Sequence, residues 1–174
     1  MIIKDIFENV NDWLKFAEAK NGVIIALNSA IIFGILKLYP SLKIDNSYIE
    51  YYITYIILFL TISIIIALLS FIPRFYYPFI KIDKISESDN LLYFGDIAKY
   101  NEIEYSRKIL EKIPDTEKTS FDVYYINQIV NNAKITYIKY KQFEISVWFT
   151  ISVFLTPFGT AILFLYKKKK VELR

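Results

Sequence analysis

Cysteine and histidine are both absent from the chain. The first absence excludes a disulfide framework and thiolate chemistry. The second removes the commonest general base and the commonest metal ligand. Glycine and proline are scarce, 4 and 5 of 174 residues, so the composition is neither collagen-like nor disordered. Net charge is small as well: +3 points to no partner by itself, although five of the 21 basic residues crowd into the last eight positions. No phosphate-binding loop, paired-aspartate motif, nucleophile elbow or metal-ligand spacing is present. The 18 carboxylates are scattered among lysines, as on solvated helix faces. The expectation is a protein that is not an enzyme and that uses no cofactor or metal.

What the chain has in abundance is apolar surface: 55% of residues are hydrophobic and 18% aromatic. Residues 51–72 and residues 145–166 are each 22 residues without a charge. A helix needs about 20 apolar residues to cross a bilayer core of about 30 Å, so both qualify as spans. Residues 22–36 form a shorter run of 15. Joined to 51–72 through the polar loop 37–50, they read as the first arm of a transmembrane hairpin. A mixed-charge stretch precedes this run and no small-residue cleavage site follows it, which argues against a signal peptide.

Along the chain, residues 3–20 place Ile3, Ile6, Phe7, Val10, Trp13, Leu14 and Ala17 at helical spacing, with charges on the other side. Trp13 and Phe16 precede the apolar run, where interfacial aromatics belong. In "WLKFAEAKNGVIIALNSAIIFG" the charged helix runs into the apolar one with only Gly22 to weaken the joint. "PSLKIDNS" (40–47) reads as the turn between the spans, and the prolines of "PRFYYPFIK" (73–81) as the end of the second. Two helices follow. The first covers 89–113, with Gly95 and Asp96 as a cap within it. The second covers 121–144 and enters the third apolar segment without a breaker. "PDTEKTS" (114–120) is the turn between them. No strand pattern and no internal repeat is visible.

The expected architecture is therefore an all-α membrane protein. It comprises an N-terminal amphipathic interfacial helix (1–20), a transmembrane hairpin (21–73), a cytosolic helical region folded as a helical hairpin (74–144), and a third, C-terminal membrane helix with a basic tail (145–174). Lysine and arginine favour the cytoplasmic side. The loop 37–50 holds only two lysines, so the N-terminus and the central region are expected to be cytoplasmic. A full third span then puts "KKKKVELR" outside, against that rule. The alternative is a break at "TPFGT" (156–160), where Pro157 and Gly159 let the segment re-enter; both forms stay open.

Two sets of residues are candidates for function. Asn21 and Asn28 lie seven positions apart on one helix face, inside or beside an apolar run. An interhelical hydrogen bond is the simpler role for such amides, and a pore-facing row in an oligomer is the functional one. Thr54, Thr61 and Ser63 allow either role, or bonds back to their own helix. "KITYIKYKQF" (134–143) interleaves lysines with tyrosines. That pattern suits a membrane interface and also the stacking of bases and holding of phosphates. Arg107 and Lys108 extend the basic surface if the two central helices pack together.

The order of Trp13, Phe16, Ala17, Lys20, Asn21 and Asn28 resembles the N-terminal signature of Pycsar-type transmembrane effectors. "NLLYFGDIAKY" (90–100), "EYSRKIL" (104–110) and "YINQIVNNAKITYIKYKQF" (125–143) are similar to that family's cytosolic helices. The resemblance implies a membrane effector of bacterial antiphage defence, multi-pass in the inner membrane. Activation would impair that membrane and stop growth of the infected cell, an abortive infection; a channel needs several copies of one chain, so a closed homo-oligomer, with a tetramer favoured, is expected. A nucleotide or oligonucleotide signal, cyclic or single-stranded DNA, would come from a neighbouring nucleotidyltransferase or cyclase and control an ion channel. With the lipid bilayer as the other partner, the expected ligand contacts are Arg107, Lys108, Lys134, Tyr137, Lys139, Tyr140 and Lys141, and the expected pore-lining residues Asn21 and Asn28. Two other classes remain open: a non-conducting anchor that recruits a cytosolic enzyme, and a small toxin-like protein that disorders the bilayer.

Overall fold

The computed structural model describes residues 2–42, 46–72, 80–114 and 121–172, with the backbone alone described at 42, 158 and 160–172. Every regular element among them is helical: α1 (Ile2–Leu38), a 3₁₀ turn (Tyr39–Leu42), α2 (Ser47–Leu69), α3 (Phe94–Ile97), α4 (Glu102–Leu110) and α5 (Asp122–Glu172). The chain divides into two compact units. The first holds residues 1–21 and 70–143, and the second holds 22–69 and 144–174.

The charged and apolar halves of the first helix are one element. α1 passes Gly22 without a break, as the absence of any turn former predicts. A Cβ on Gly22 would meet nothing within 4 Å, so no close approach requires the glycine. α1 and α2 are both long and apolar enough to cross a membrane. Only 11% and 17% of their most apolar stretches are buried within the chain. That distinguishes them from core helices of a soluble protein, whose apolar faces are covered.

In the first unit the apolar stripe of α1 enters a protein core. Ile3, Ile6 and Val10 pack with Phe94, Ile97 and Tyr105, and with Ile126, Ile129 and Ala133 of α5. Trp13 stays 38% exposed, and Phe16 beside it is also exposed. The expected single helix over 89–113 is corrected: it is two short helices. Asn101 is the reason. Its side chain accepts from Glu104 N at 2.8 Å, and the Glu104 carboxylate accepts from Asn101 N at 3.4 Å. This reciprocal capping box starts a new helix at Glu102 because it satisfies two otherwise orphaned backbone donors. Gly95 and Asp96, expected to form the internal cap, lie inside α3 instead.

In the second unit α5 remains helical through Pro157, so the break expected as one alternative at 156–160 does not occur in the backbone. A proline removes the hydrogen bond to the carbonyl four residues earlier, here Val153. The Tyr52 hydroxyl donates to that same Val153 oxygen at 3.0 Å. An α2 side chain thus satisfies the carbonyl that the proline leaves open. Tyr52, Tyr55, Phe59 and Phe149 form an aromatic column beside it, with successive centroids 6.3, 4.2 and 5.5 Å apart. The expected helix end at 73–79 and the turn at 115–120 lie outside the described residues, as do 43–45 of the first loop. The side chains of the basic tail also lie outside them.

Candidate functional site

The second unit has a polar node where an apolar interior is expected. Asn28 sits on α1 between Ser63 of α2 and Thr150 of α5, and all three are buried. Its Nδ2 donates to Ser63 Oγ at 2.8 Å and to Thr150 Oγ1 at 3.0 Å. Thr150 Oγ1 donates back to Asn28 Oδ1 at 3.2 Å, and Ser63 Oγ donates to Ser146 O at 2.7 Å. Counting protons, the amide uses both of its donors and its acceptor, and each hydroxyl uses its one donor. The node is closed within a single chain. Ser146 Oγ, next to it, is buried with no partner among the described residues. Thr54 bonds back to Glu50 O at 2.9 Å, and Thr61 is exposed.

Asn21 belongs to the first unit. Its Nδ2 donates to Ala17 O at 2.9 Å and to Lys139 O at 3.2 Å, tying α1 to α5. Its Oδ1 is buried without a partner among the described residues.

The seven expected ligand contacts are not brought together into one surface. Arg107 is exposed and borders a hollow of about 310 Å³ between α4 and α5 that Glu102, Ile103 and Val123 also line. Lys134 reaches the same Glu102 at 3.9 Å. Lys134 and Arg107 thus lie by the same hollow, and Lys134 is the one that reaches the Glu102 carboxylate. Lys108 is on the opposite side of α4, donating to the Tyr100 hydroxyl at 3.0 Å. That hydrogen bond raises its pKa. Tyr100 donates in turn to Asp89 Oδ2 at 3.0 Å. Asp89 is clamped by Lys99 at 2.7 Å and by the Ser86 N–H at 2.8 Å. The Lys99 hydrogen bond, with the Ser86 N–H behind it, lowers the Asp89 pKa to about 2. Lys99 also pairs with Asp96 at 2.6 Å, and its own pKa is raised, by the Asp89 bond first.

Lys139 and Tyr140 face α1. Lys139 is buried and its Nζ pairs with Glu18 at 2.8 Å. Tyr140 stacks on Phe94 at 5.0 Å, and its hydroxyl is buried without a partner. Burial raises its pKa. Tyr137 donates to Lys81 O at 3.3 Å, and Lys141 is half-buried. Sequence reasoning missed Lys20. Its ammonium sits 4.5, 4.9 and 5.4 Å from the ring centres of Phe16, Tyr140 and Phe143, an aromatic cage around a cation. The signal was legible: Phe16 and Lys20 are one turn apart, and Tyr140 and Phe143 share a face of α5.

An all-helical chain with two long, mostly uncovered apolar helices, a closed polar node in one unit and paired cations in the other defines a small membrane-associated protein. A family model, that of the Pycsar effector protein domain, matches residues 2–166. The chain belongs to that family, and is thereby an effector of bacterial antiphage defence. No curated protein and no solved structure matches it.

Proposed function

We propose that several copies of this chain form an ion-conducting pore that depolarises the bacterial inner membrane. A nucleotide or oligonucleotide from a partner nucleotidyltransferase or cyclase controls it. The observation that carries this reading is the buried amide of Asn28 in an otherwise apolar three-helix packing. Polar groups inside a membrane segment are costly and commonly mark function. In the closed form the amide is taken up by Ser63 and Thr150. Opening exchanges those partners for water or for another protomer, and Asn28 then lines the path. Asn21 lines the path with it, and its buried Oδ1 is an acceptor held in reserve.

The ligand contacts are Arg107, Lys108, Lys134, Lys139 and Lys141, with Tyr137 and Tyr140. Phosphates compete there with Glu102 for Lys134 and with Glu18 for Lys139. Each exchange replaces one ion pair by another at a lysine whose side chain is already largely out of water, and it moves α4 or α1 when the ligand binds. Replacing Lys134 and Lys141 together weakens nucleotide binding and flattens its salt slope, which follows the number of phosphates neutralised.

The test is ion flux into liposomes holding the purified chain, with a potentiometric dye and with candidate nucleotides added. Ligand-dependent, ion-selective flux that Asn28→Leu alters is the expected result. No flux under any nucleotide supports a non-conducting anchor instead. Leakage without selectivity supports a bilayer-disordering protein.

A further inference from the structure

Between Asp122 and Lys134 the chain carries no charged residue, although this stretch is in the first unit and partly open to solvent. Other exposed faces there are laced with charge: α1 carries the pairs Lys4–Glu8 at 3.5 Å and Lys15–Asp12 at 3.0 Å on its outer side. On α5, Tyr124, Asn127, Gln128 and Asn131 recur at helical spacing along one outward face. They line a shallow hollow of about 410 Å³ that ends at Ile135. Tyr124 is 69% exposed. Among the described residues none of these three amides has a side-chain partner. Asn132, on the flank, is already used by Asn11 at 2.7 Å. Next to this face lies the α4–α5 groove, where Ile103 and Val123 are 73% and 55% exposed.

The chemistry narrows the occupant. A bilayer is a poor one, because amides in hydrocarbon without partners cost several kcal/mol each, by the general cost of burying such groups. A nucleic acid is a poor one, because the face has no cation to meet a phosphate. A strongly charged protein would find no complementary charge. What suits the face is another neutral, amide-bearing surface. Side-chain amides both donate and accept, so the face is complementary to a copy of itself and meets it without like-charge repulsion. Exposed tyrosine beside isoleucine and valine is interface composition.

We propose that the uncharged outward face of α5 formed by Tyr124, Asn127, Gln128 and Asn131 is the surface on which a second copy of this chain docks. The inference rests on the multi-copy reading above and gives it a contact surface in the first unit. Because the face meets a copy of itself, the contact is a two-fold pair, with the same patch on both chains.

The test uses the full chain in detergent or nanodiscs. A photo-crosslinking benzoylphenylalanine at Tyr124 is expected to give covalent dimers, and the same group at Asn9 on α1 is not. Equal yields at the two positions, or none at Tyr124, overturn the proposal. The double variant Gln128→Glu/Asn131→Glu faces carboxylates against carboxylates across the interface, which costs several kcal/mol in general. It should raise the dissociation constant of the oligomer at least about tenfold, while Asn9→Glu leaves it unchanged. An unaltered mass distribution for a folded double variant also overturns the proposal. Crosslinking at Tyr124 without ion flux would leave the docking surface standing and remove the pore; flux without crosslinking would do the reverse.

Discussion

The two units hold themselves together by opposite means. The first closes an apolar core of Ile, Val, Phe and Tyr side chains and keeps its charges in ion pairs, such as Lys99 with Asp89 and Lys139 with Glu18. Among its described residues the second buries few large apolar side chains. At its centre are Asn28, Ser63, Ser146 and Thr150. The difference is the one that the proposed placement, the first unit in water and the second in lipid, predicts. Against water, burying apolar surface stabilises. Against lipid it brings nothing, because the tails are as apolar as leucine, and helices associate through close packing and hydrogen bonds. The same chain thus follows both rules.

The comparison makes the first unit the more fragile toward truncation. Ile129 is wholly buried among α1, α4 and α5. Ile129→Ala is expected to cost about 2–5 kcal/mol, by the general cost of emptying a packed core site. A thermal melt in detergent checks this, and a loss below about 1 kcal/mol would mean that the core is looser than its burial implies.

In the second unit the largest single effect is expected from Tyr52→Phe. It strands the Val153 carbonyl that Pro157 cannot serve, at the low end of about 1–3 kcal/mol for an unpaired buried group. Loss of amide protection around residues 153–157 in hydrogen exchange reports it. Asn28→Leu is expected to cost less, about 0.6 and at most about 1.7 kcal/mol, the range for interhelical bonds in lipid. The reason is that Ser63 keeps its bond to Ser146 O at 2.7 Å and Thr150 can turn its proton to the same oxygen at 3.1 Å. Flux should change more than expression. A variant with normal flux and lower yield would leave the amide with packing as its whole role.

Acid should affect only the first unit. The Asp89 pKa is lowered to about 2, by the Lys99 hydrogen bond first. A carboxylate with a depressed folded pKa stabilises above its unfolded value and loses that contribution as pH falls through the folded one. The clamp on residues 86–91 is therefore expected to loosen between about pH 4 and pH 2. The polar node of the second unit has no ionisable member and should not respond. Proteolysis within 83–92 as a function of pH checks this, and Asp89→Asn should remove the dependence.

Much of this was legible in the sequence because it depends on local chemistry. The uncharged run 51–72 and the unbroken passage through Gly22 follow from residue types alone. The split of 89–113 was not found, although Asn101 and Glu104 stand at capping-box spacing. The apolar positions on both sides had suggested one continuous stripe, and the cap overrode it. The candidate site was less legible. Lys134 and Lys139 look like free cations in the sequence. Their partners, Glu102 and Glu18, are supplied by other helices, and a linear pattern cannot tell which carboxylate the fold will bring. The same holds for the hydroxyl of Tyr52, which no helical spacing relates to Pro157.

The closed node around Asn28 also sets an order of events during synthesis. Asn28 and Ser63 are 35 positions apart, but Ser63 and Thr150 are separated by 87. At about 5–20 residues per second, Thr150 emerges roughly 4–17 s after Ser63. For that interval the amide has half of its final partners. In the proposed topology, a hairpin of α1 and α2 that enters the membrane first holds an unfinished polar group until the last helix arrives. During those seconds it can pair with the wrong chain, or be caught by a chaperone that recognises an unsatisfied amide in lipid.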